Sequence, residues 1–435
     1  MSTLFYQKEI PISGRYDVAV IGGGPAGIGA AIAAAEQGAK TVLIERFGFL
    51  GGMATAGYVN PMSEFAYNGR RITGGIPWRF AEALCIEGGA IVEEPRCNIS
   101  FAPEKYKLVA HQLVESAGAH LLLNARLFDC ITENNRVRAV IYAGMSGVQA
   151  VEADYFVDAT GDATLAHLAG MPMLDTNKIV QPGTLCFCLA DVDTSTERMH
   201  IIHQRNHRFN HQATFVREPL LKLRAEGVDV PQFGGPWLCT TLEEGCVTVN
   251  MTRSPMDSTD SENYQQAEFR MRKDVFRLVE LMRAHVPEFA NCRLVSTATV
   301  SGVRESRHIR GLHILTGEEY VKAVRFDDAI ARACHPVDIH LPGDDGQKLT
   351  FPEDAGFIPY RSLIAAGFPN LLVAGRAISA DADAFAAIRV QAPCMETGQA
   401  AGIAAALCSA AGGIAVNQLD VNTLVQAVRA AGSIV

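Results

Sequence analysis

Apolar residues along this chain gather in short saturated runs, and the spacing of those runs predicts the elements. Val18 to Ile21 is an uninterrupted apolar run, which predicts a strand buried on both faces. The alanine-rich stretch from Ala26 to Gln37 predicts a helix that is apolar all round and therefore buried. Thr41 to Ile44 predicts a second parallel strand, so residues 16–45 form one strand–helix–strand unit. Beyond it the pattern predicts a helix over 104–118 behind Pro103, strands within 120–143 with a turn at Asn134–Asn135, and a strand over 151–158. Between 165 and 355 the pattern changes. Apolar runs at Gly183–Ala190, Cys246–Met251 and Arg293–Gly302 are interspersed with polar helical stretches at 195–226 and 260–285. A strand over 370–375 and an alanine-rich closing helix restore the first pattern. The expected fold class is α/β: a Rossmann-like parallel sheet with helices, interleaved with an α+β lobe that contains an antiparallel sheet.

The turn inside the first unit carries chemistry. Gly22-x-Gly24-x-x-Gly27 joins strand to helix, and Glu45 ends the second strand. Gly22 permits the tight turn, Gly24 lets a pyrophosphate approach the backbone, and Gly27 lets the helix pack on the strand. The helix that starts at Pro25 then offers the free amides of its first turn, from Ala26 on, to phosphate, and Glu45 can accept from a ribose hydroxyl. Strand, helix, second strand and acid all fall in place, so the unit is expected to bind a dinucleotide.

The next loop, Arg46-Phe-Gly-Phe-Leu-Gly51-Gly52-Met53, has no helix period. It resembles the segment beneath the flavin in FAD enzymes of the glutathione-reductase structural superfamily. Tyr155-Phe-Val-Asp-Ala159-Thr-Gly161 and Asn370-Leu-Leu-Val-Ala-Gly375-Arg376 are similar to the second and third fingerprints of that superfamily. The tail Arg389-Val-Gln-Ala-Pro-Cys-Met-Glu-Thr-Gly398-Gln399, with Gly302 to Gly311, Pro336 to His340 and Ile358 to Arg361, narrows the resemblance. Across residues 16–430 the chain is similar to the bacterial FAD-dependent oxidoreductase family, a relative of the fumarate reductase flavoproteins. The resemblance implies FAD, flavin redox chemistry and cofactor contacts at Arg46, Gly52, Met53, Leu127, Ala159, Gly161 and Gly375. Dimers are common on that scaffold. The chain departs from the family at Asp381-Ala-Asp383-Ala, where members carry a Thr-His-Glu-type run, and no role is carried over there. The expected organisation is an FAD-binding domain over 1–164, a substrate-binding lobe over 165–355, and a return strand and closing helix over 356–435.

Composition narrows the partners. The formal net charge of −9 argues against nucleic acid, because no basic stripe offsets it. No apolar run reaches membrane length, and the first fifteen residues lack a signal pattern, so a cytoplasmic protein is expected. The eleven cysteines are then expected to be reduced. None lies in the 46–59 loop, which excludes the redox-active pair of the disulfide reductases. Cys186-x-Cys188 is read as buried small hydrophobes rather than a redox or metal pair.

Several polar residues could serve a substrate. Arg304, Glu305, Arg307 and His308 form a run that is either a surface ion-pair cluster or part of the site. Arg307 is the preferred member, since a guanidinium grips a carboxylate or a flavin carbonyl in a bidentate fork. Asp338-x-His340 is either an acid/base pair or a structural pair before the turn at Pro342–Gly343. Tyr360 donates a proton or packs. Arg376 contacts the cofactor or pairs with Asp381 or Asp383. Gly398 and Gln399 are read as the start of the last helix, whose amides would stabilise charge on the reduced flavin. Asn250 to Arg253 ends a strand that can reach the pocket. His200, His203, His207 and His211 recur at helical spacing, and a solvated face is preferred to a metal site, so no metal is expected. The reading is an FAD-dependent oxidoreductase passing a hydride between flavin N5 and a small polar, hydroxyl- or carboxylate-bearing substrate, with Arg307, His340 and Tyr360 as catalytic candidates. Two alternatives stand beside it: a fumarate-reductase-like reductase fed by a separate iron–sulfur or haem protein, and a flavin-binding sensor without turnover.

Overall fold

A computed structural model describes residues 3–175, 181–199, 213–240, 242–340 and 346–435. The four histidines at 200, 203, 207 and 211, and the turn at Pro342–Gly343, lie outside the described residues.

The first unit forms as its pattern requires. Strand Ile12–Ile21, helix Pro25–Glu36 and strand Thr41–Ile44 follow in order, and both strands end fully buried. The strand Gly147–Asp158 lies parallel to the first strand, and His120–Leu122 lies outside the second. Gly147–Asp158 has two neighbours on its other edge. Its first half pairs antiparallel with Arg136–Gly144, which continues the meander to Arg126–Glu133. Its second half pairs parallel with the late strand Leu371–Val373. The turn at Asn134–Asn135 holds both residues in the left-handed region, which asparagine tolerates.

A second sheet, antiparallel, runs in the order Phe233–Thr240, Val247–Thr252, Phe187–Ala190, Arg293–Thr297. It has its own core, built from residues such as Phe187, Phe233, Met271 and Phe289. The long helix Ser261–His285 packs there and is capped by Asp260, which accepts from the amides of Glu262 and Asn263. The mixed α/β architecture with a parallel-rich sheet and separate antiparallel sheets agrees with the fold class expected from the pattern.

The closing helix is longer than its sequence motif suggested and starts earlier. It spans Gln391–Ala410 and is almost wholly buried. It crosses the first helix with small residues at the contact. A Cβ on Gly398 would collide with the Ala26 carbonyl, and one on Gly402 with the Ala30 carbonyl. Two apolar helices this close leave no room for side chains, which accounts for their glycine and alanine content. All eleven cysteines are free, Cys186 buried and Cys188 half-buried. Among the described residues no helix is long and apolar enough to cross a membrane.

Candidate active site

Four strands of the large sheet end together. Ile44, Ile21, Asp158 and Val373 stand in register at one edge. The chain leaves three of these strands through Gly22, Gly161 and Gly375, at φ of +100°, +80° and +78°, a region that excludes most side chains. The turns open onto a cavity of about 900 Å³. Gly22, Gly24, Pro25, Ala26, Glu45, Arg46, Gly52, Met53, Leu127, Ala159, Gly161, Gly375 and Arg376 all line it.

The floor of the cavity is backbone. A Cβ on Gly24 would meet only the Gly52 Cα, at 3.8 Å, whereas one on Gly52 would crowd the Gly24 Cα at 2.8 Å, so the two glycines let their backbones approach closely. The first helix starts there with no side-chain cap. Bare amides at a helix N-terminus on the cavity wall fit a pyrophosphate. Glu45 braces the turn: its Oε2 accepts from the Gly23 amide at 2.5 Å and its Oε1 from the Phe47 amide at 2.9 Å. Burial raises the pKa of this carboxyl, and the two amides oppose that rise. Each oxygen keeps a lone pair for a ribose hydroxyl. Gly27 lies off the cavity and serves packing, since a Cβ there would strike the Gly22 carbonyl.

Two expected cofactor contacts lie elsewhere. Gly398 and Gln399 sit two turns inside the closing helix, not at its start, because the helix begins at Gln391. Gly398 is consumed by the helix crossing. Gln399 accepts from the Ile76 amide at 2.6 Å and donates to Ser433 Oγ at 2.9 Å. The helix start that does reach the cavity is Val390–Gln391. Arg376 lines the cavity, but its guanidinium is engaged. It donates from Nε to the Gly161 carbonyl at 2.9 Å, from Nη1 to the Val303 carbonyl, and from Nη2 to Asp162 at 2.5 Å. Its partner is therefore Asp162. Asp381 instead caps the helix Ala382–Ile388.

The far end of the cavity is polar and comes largely from the second sheet and the hairpin Val337–His340/Gln347–Thr350. His340 is buried between two charged groups. Its Nδ1 lies 2.8 Å from Arg253 Nη2 and its Nε2 3.0 Å from Asp338 Oδ2. A guanidinium only donates, so Nδ1 is the acceptor and the ring proton sits on Nε2, facing the carboxylate. Burial and the nearby Arg304 push the His340 pKa down to about 3, against the pull of Asp338. Burial alone would raise Asp338; its bond to His340, with the charge of Arg389, holds it well below the carboxylate range. Arg304 donates from Nη1 to the Pro182 carbonyl at 2.6 Å and to Thr184 Oγ1 at 2.7 Å, and burial lowers its pKa to about 9. Arg389 donates to the Asp338 carbonyl at 3.1 Å, and its buried Nε has no partner among the described residues.

The structure brings His340 to the cavity, but neither Tyr360 nor Arg307 is among its lining residues. Tyr360 is turned into the core, where its hydroxyl donates to the Val416 carbonyl at 2.9 Å and burial raises its pKa well above the ordinary phenol range. Arg304, three residues before Arg307, is the arginine of that run on the cavity wall. His308 is a core residue against Phe385, and burial lowers its pKa to about 4. Asn250 reaches the cavity, while Arg253 acts on it through His340. His335, Arg389, Trp237 and Tyr264 also line it. The sequence reading assigned them no role. His335 lies one residue outside the Pro336-to-His340 motif, and Arg389 was read only as the opening of the tail.

Among known proteins, the family described as FAD dependent oxidoreductase matches residues 17–428. A thiamine thiazole synthase from Aeropyrum pernix is 32% identical over 181 residues, covering 38% of this chain and 62% of that protein. A dihydrolipoyl dehydrogenase from Trypanosoma brucei brucei is 51% identical over 47 residues, 11% of this chain and 10% of that one. The chain thus spans less than two thirds of the length of these relatives. A flavoprotein/dehydrogenase structure from Cytophaga hutchinsonii aligns with a TM-score of 0.49 at 13% identity, covering 95% of this chain and 83% of the other. A geranylgeranyl bacteriochlorophyll reductase-like structure from Thermoplasma acidophilum aligns at 0.46 and 14%, covering 96% and 91%.

Proposed function

The chain belongs to the FAD-dependent oxidoreductase family, with FAD as its cofactor, and from that premise we propose that it exchanges a hydride with a small polar substrate bearing a hydroxyl or a carboxylate. The observation that carries this reading is the continuity of one cavity. The same enclosure that begins at Gly22, Gly24 and Glu45 ends at Asn250, Arg304, Asp338 and Arg389. When bound, the flavin supplies the two-electron chemistry. The residues of the polar end do the rest. Arg304 and Arg389 lie near Asp338, Arg253 reaches it through His340, and Glu305 also acts on Arg389, so three arginines stand against two carboxylates and leave a positive surplus for an anionic group. His340 holds Asp338 and Arg253 in place and, with both ring nitrogens engaged, acts as a positioning residue. The inserted lobe, 165–355, supplies most of this wall, and Val390–Gln391 brings a helix N-terminus to it.

The test is anaerobic titration of the FAD-loaded protein with hydroxy acids, sugars, amines and reduced nicotinamides, followed at the flavin band near ~450 nm. Bleaching by a hydroxyl- or carboxylate-bearing compound supports the reading. A band that only a partner protein reduces favours the partner-fed reductase.

A further inference from the structure

We infer that His335 is the catalytic base of this site and that its substrate is a hydroxy carboxylate. The inference rests on the hydride reading above and adds the proton's acceptor.

The two cavity histidines are held in opposite tautomers. His335 Nδ1 lies 2.8 Å from the Pro336 carbonyl, which can only accept, so the ring carries its proton on Nδ1. Its Nε2 is left with a lone pair and no protein partner among the described residues, on a half-buried ring that lines the cavity. His340 has no such lone pair to offer, because its Nδ1 already accepts from Arg253. The backbone of His335 is itself fixed, since the buried Tyr320 donates to its carbonyl at 2.6 Å. Asp338, three residues further along the chain, lines the same cavity.

The substrate's charge follows from the same wall. Arg304 and Arg389 line the same cavity as His335, and the buried Arg389 Nε lacks an acceptor among the described residues. A carboxylate supplies that acceptor and offsets the positive surplus. With the carboxylate there, a hydroxyl on the adjacent carbon is the group His335 Nε2 serves. As the alcohol is oxidised, its O–H bond breaks and the proton passes to Nε2. The carbon–oxygen double bond forms, and bound FAD would supply the two-electron oxidant that takes up the carbon's hydrogen with its electron pair. The organic product is an oxo acid.

Two measurements on the FAD-loaded full chain test this. In 15N-histidine spectra of the neutral rings, His335 is expected to carry its proton on Nδ1 and His340 on Nε2. A His335 protonated on Nε2 overturns the proposal without reference to any substrate. In rapid mixing with a panel of 2-hydroxy acids, His335→Gln should retain FAD but slow bleaching about 10²–10⁴-fold, the range for loss of a general base. Added imidazole should restore part of the rate in His335→Ala. Wild-type bleaching that His335→Gln leaves undiminished overturns the role of His335 while the hydride reading stands. A wild-type flavin that no hydroxy acid bleaches overturns both.

Discussion

Arg376 and Asp162 form an ion pair at 2.5 Å that ties the turn after the third fingerprint strand to the turn after the second. The same guanidinium donates to the Gly161 and Val303 carbonyls, so one side chain joins two strand ends to the segment at Val303. Arg376→Met should destabilise the protein by about 2–3 kcal/mol, since it strands a carboxylate and two carbonyl acceptors. Thermal melts of the apo and FAD-loaded forms check this, and both should fall. An unchanged melting temperature would show that the brace carries no weight.

The contrast between glycines gives a second prediction. Gly24→Ala meets only the Gly52 Cα, at an ordinary contact distance of 3.8 Å, so the fold should be kept, but the added methyl stands where the pyrophosphate is expected. FAD affinity should then drop at least tenfold, about 1.4 kcal/mol, with little change in apo stability. Gly398→Ala should do the reverse and disturb the helix crossing, costing at least the roughly 1–3 kcal/mol of an overpacked core. FAD fluorescence titration and denaturant melts on the two variants separate the cases.

The sequence made the nucleotide half legible residue by residue, because each part of it is local. Glycines at 22, 161 and 375 follow strand ends at positive φ, which backbone geometry alone dictates. The polar half was less legible for a physical reason. Arg253, Asp338 and His340 come together across 87 residues of chain, and which nitrogen of a histidine is free depends on a carbonyl or guanidinium brought by the fold. Tyr360 and Gln399 were over-read because a polar side chain in a motif looks the same whether it faces a cavity or satisfies a core carbonyl or amide. The closing helix starts at Gln391 rather than near Gly398, with Pro393 in its first turn, where its missing N–H costs no helical hydrogen bond.

Glu396 gives a prediction about pH. It is fully buried in the closing helix, accepting from the Arg332 amide at 2.9 Å and the Gly74 amide at 3.3 Å, and burial raises its pKa to about 8. Its folded pKa lies above its unfolded value, so the native state binds the extra proton between the two. Its contribution to stability is therefore fully present below the unfolded pKa and is lost as pH rises toward 8. Glu396→Gln mimics the protonated form and removes that loss. The stability of the variant relative to wild type should grow by roughly 1.4 kcal/mol per pH unit across the window. Denaturant melts at several pH values between 5 and 8 check the slope. A difference that does not vary with pH would mean the carboxyl is ionised throughout.

Arg389→Lys keeps the positive charge but removes the Nε donor that has no protein partner. For an anionic substrate held at that position, KM should rise about tenfold or more, with kcat changing less, because the lost contact serves ground state and transition state alike. Steady-state kinetics on the best hydroxy acid of the panel would show it. Equal KM values would place the substrate's charge elsewhere.

The most direct test of hydride transfer within this cavity is the rate of flavin bleaching by one active hydroxy acid, compared with the same compound deuterated at the carbinol carbon. The account predicts that bleaching is severalfold slower with deuterium, because the carbon–hydrogen bond breaks as the flavin is reduced. Bleaching that is equally fast with both, or a flavin that is reduced only when a second protein is added, would contradict it.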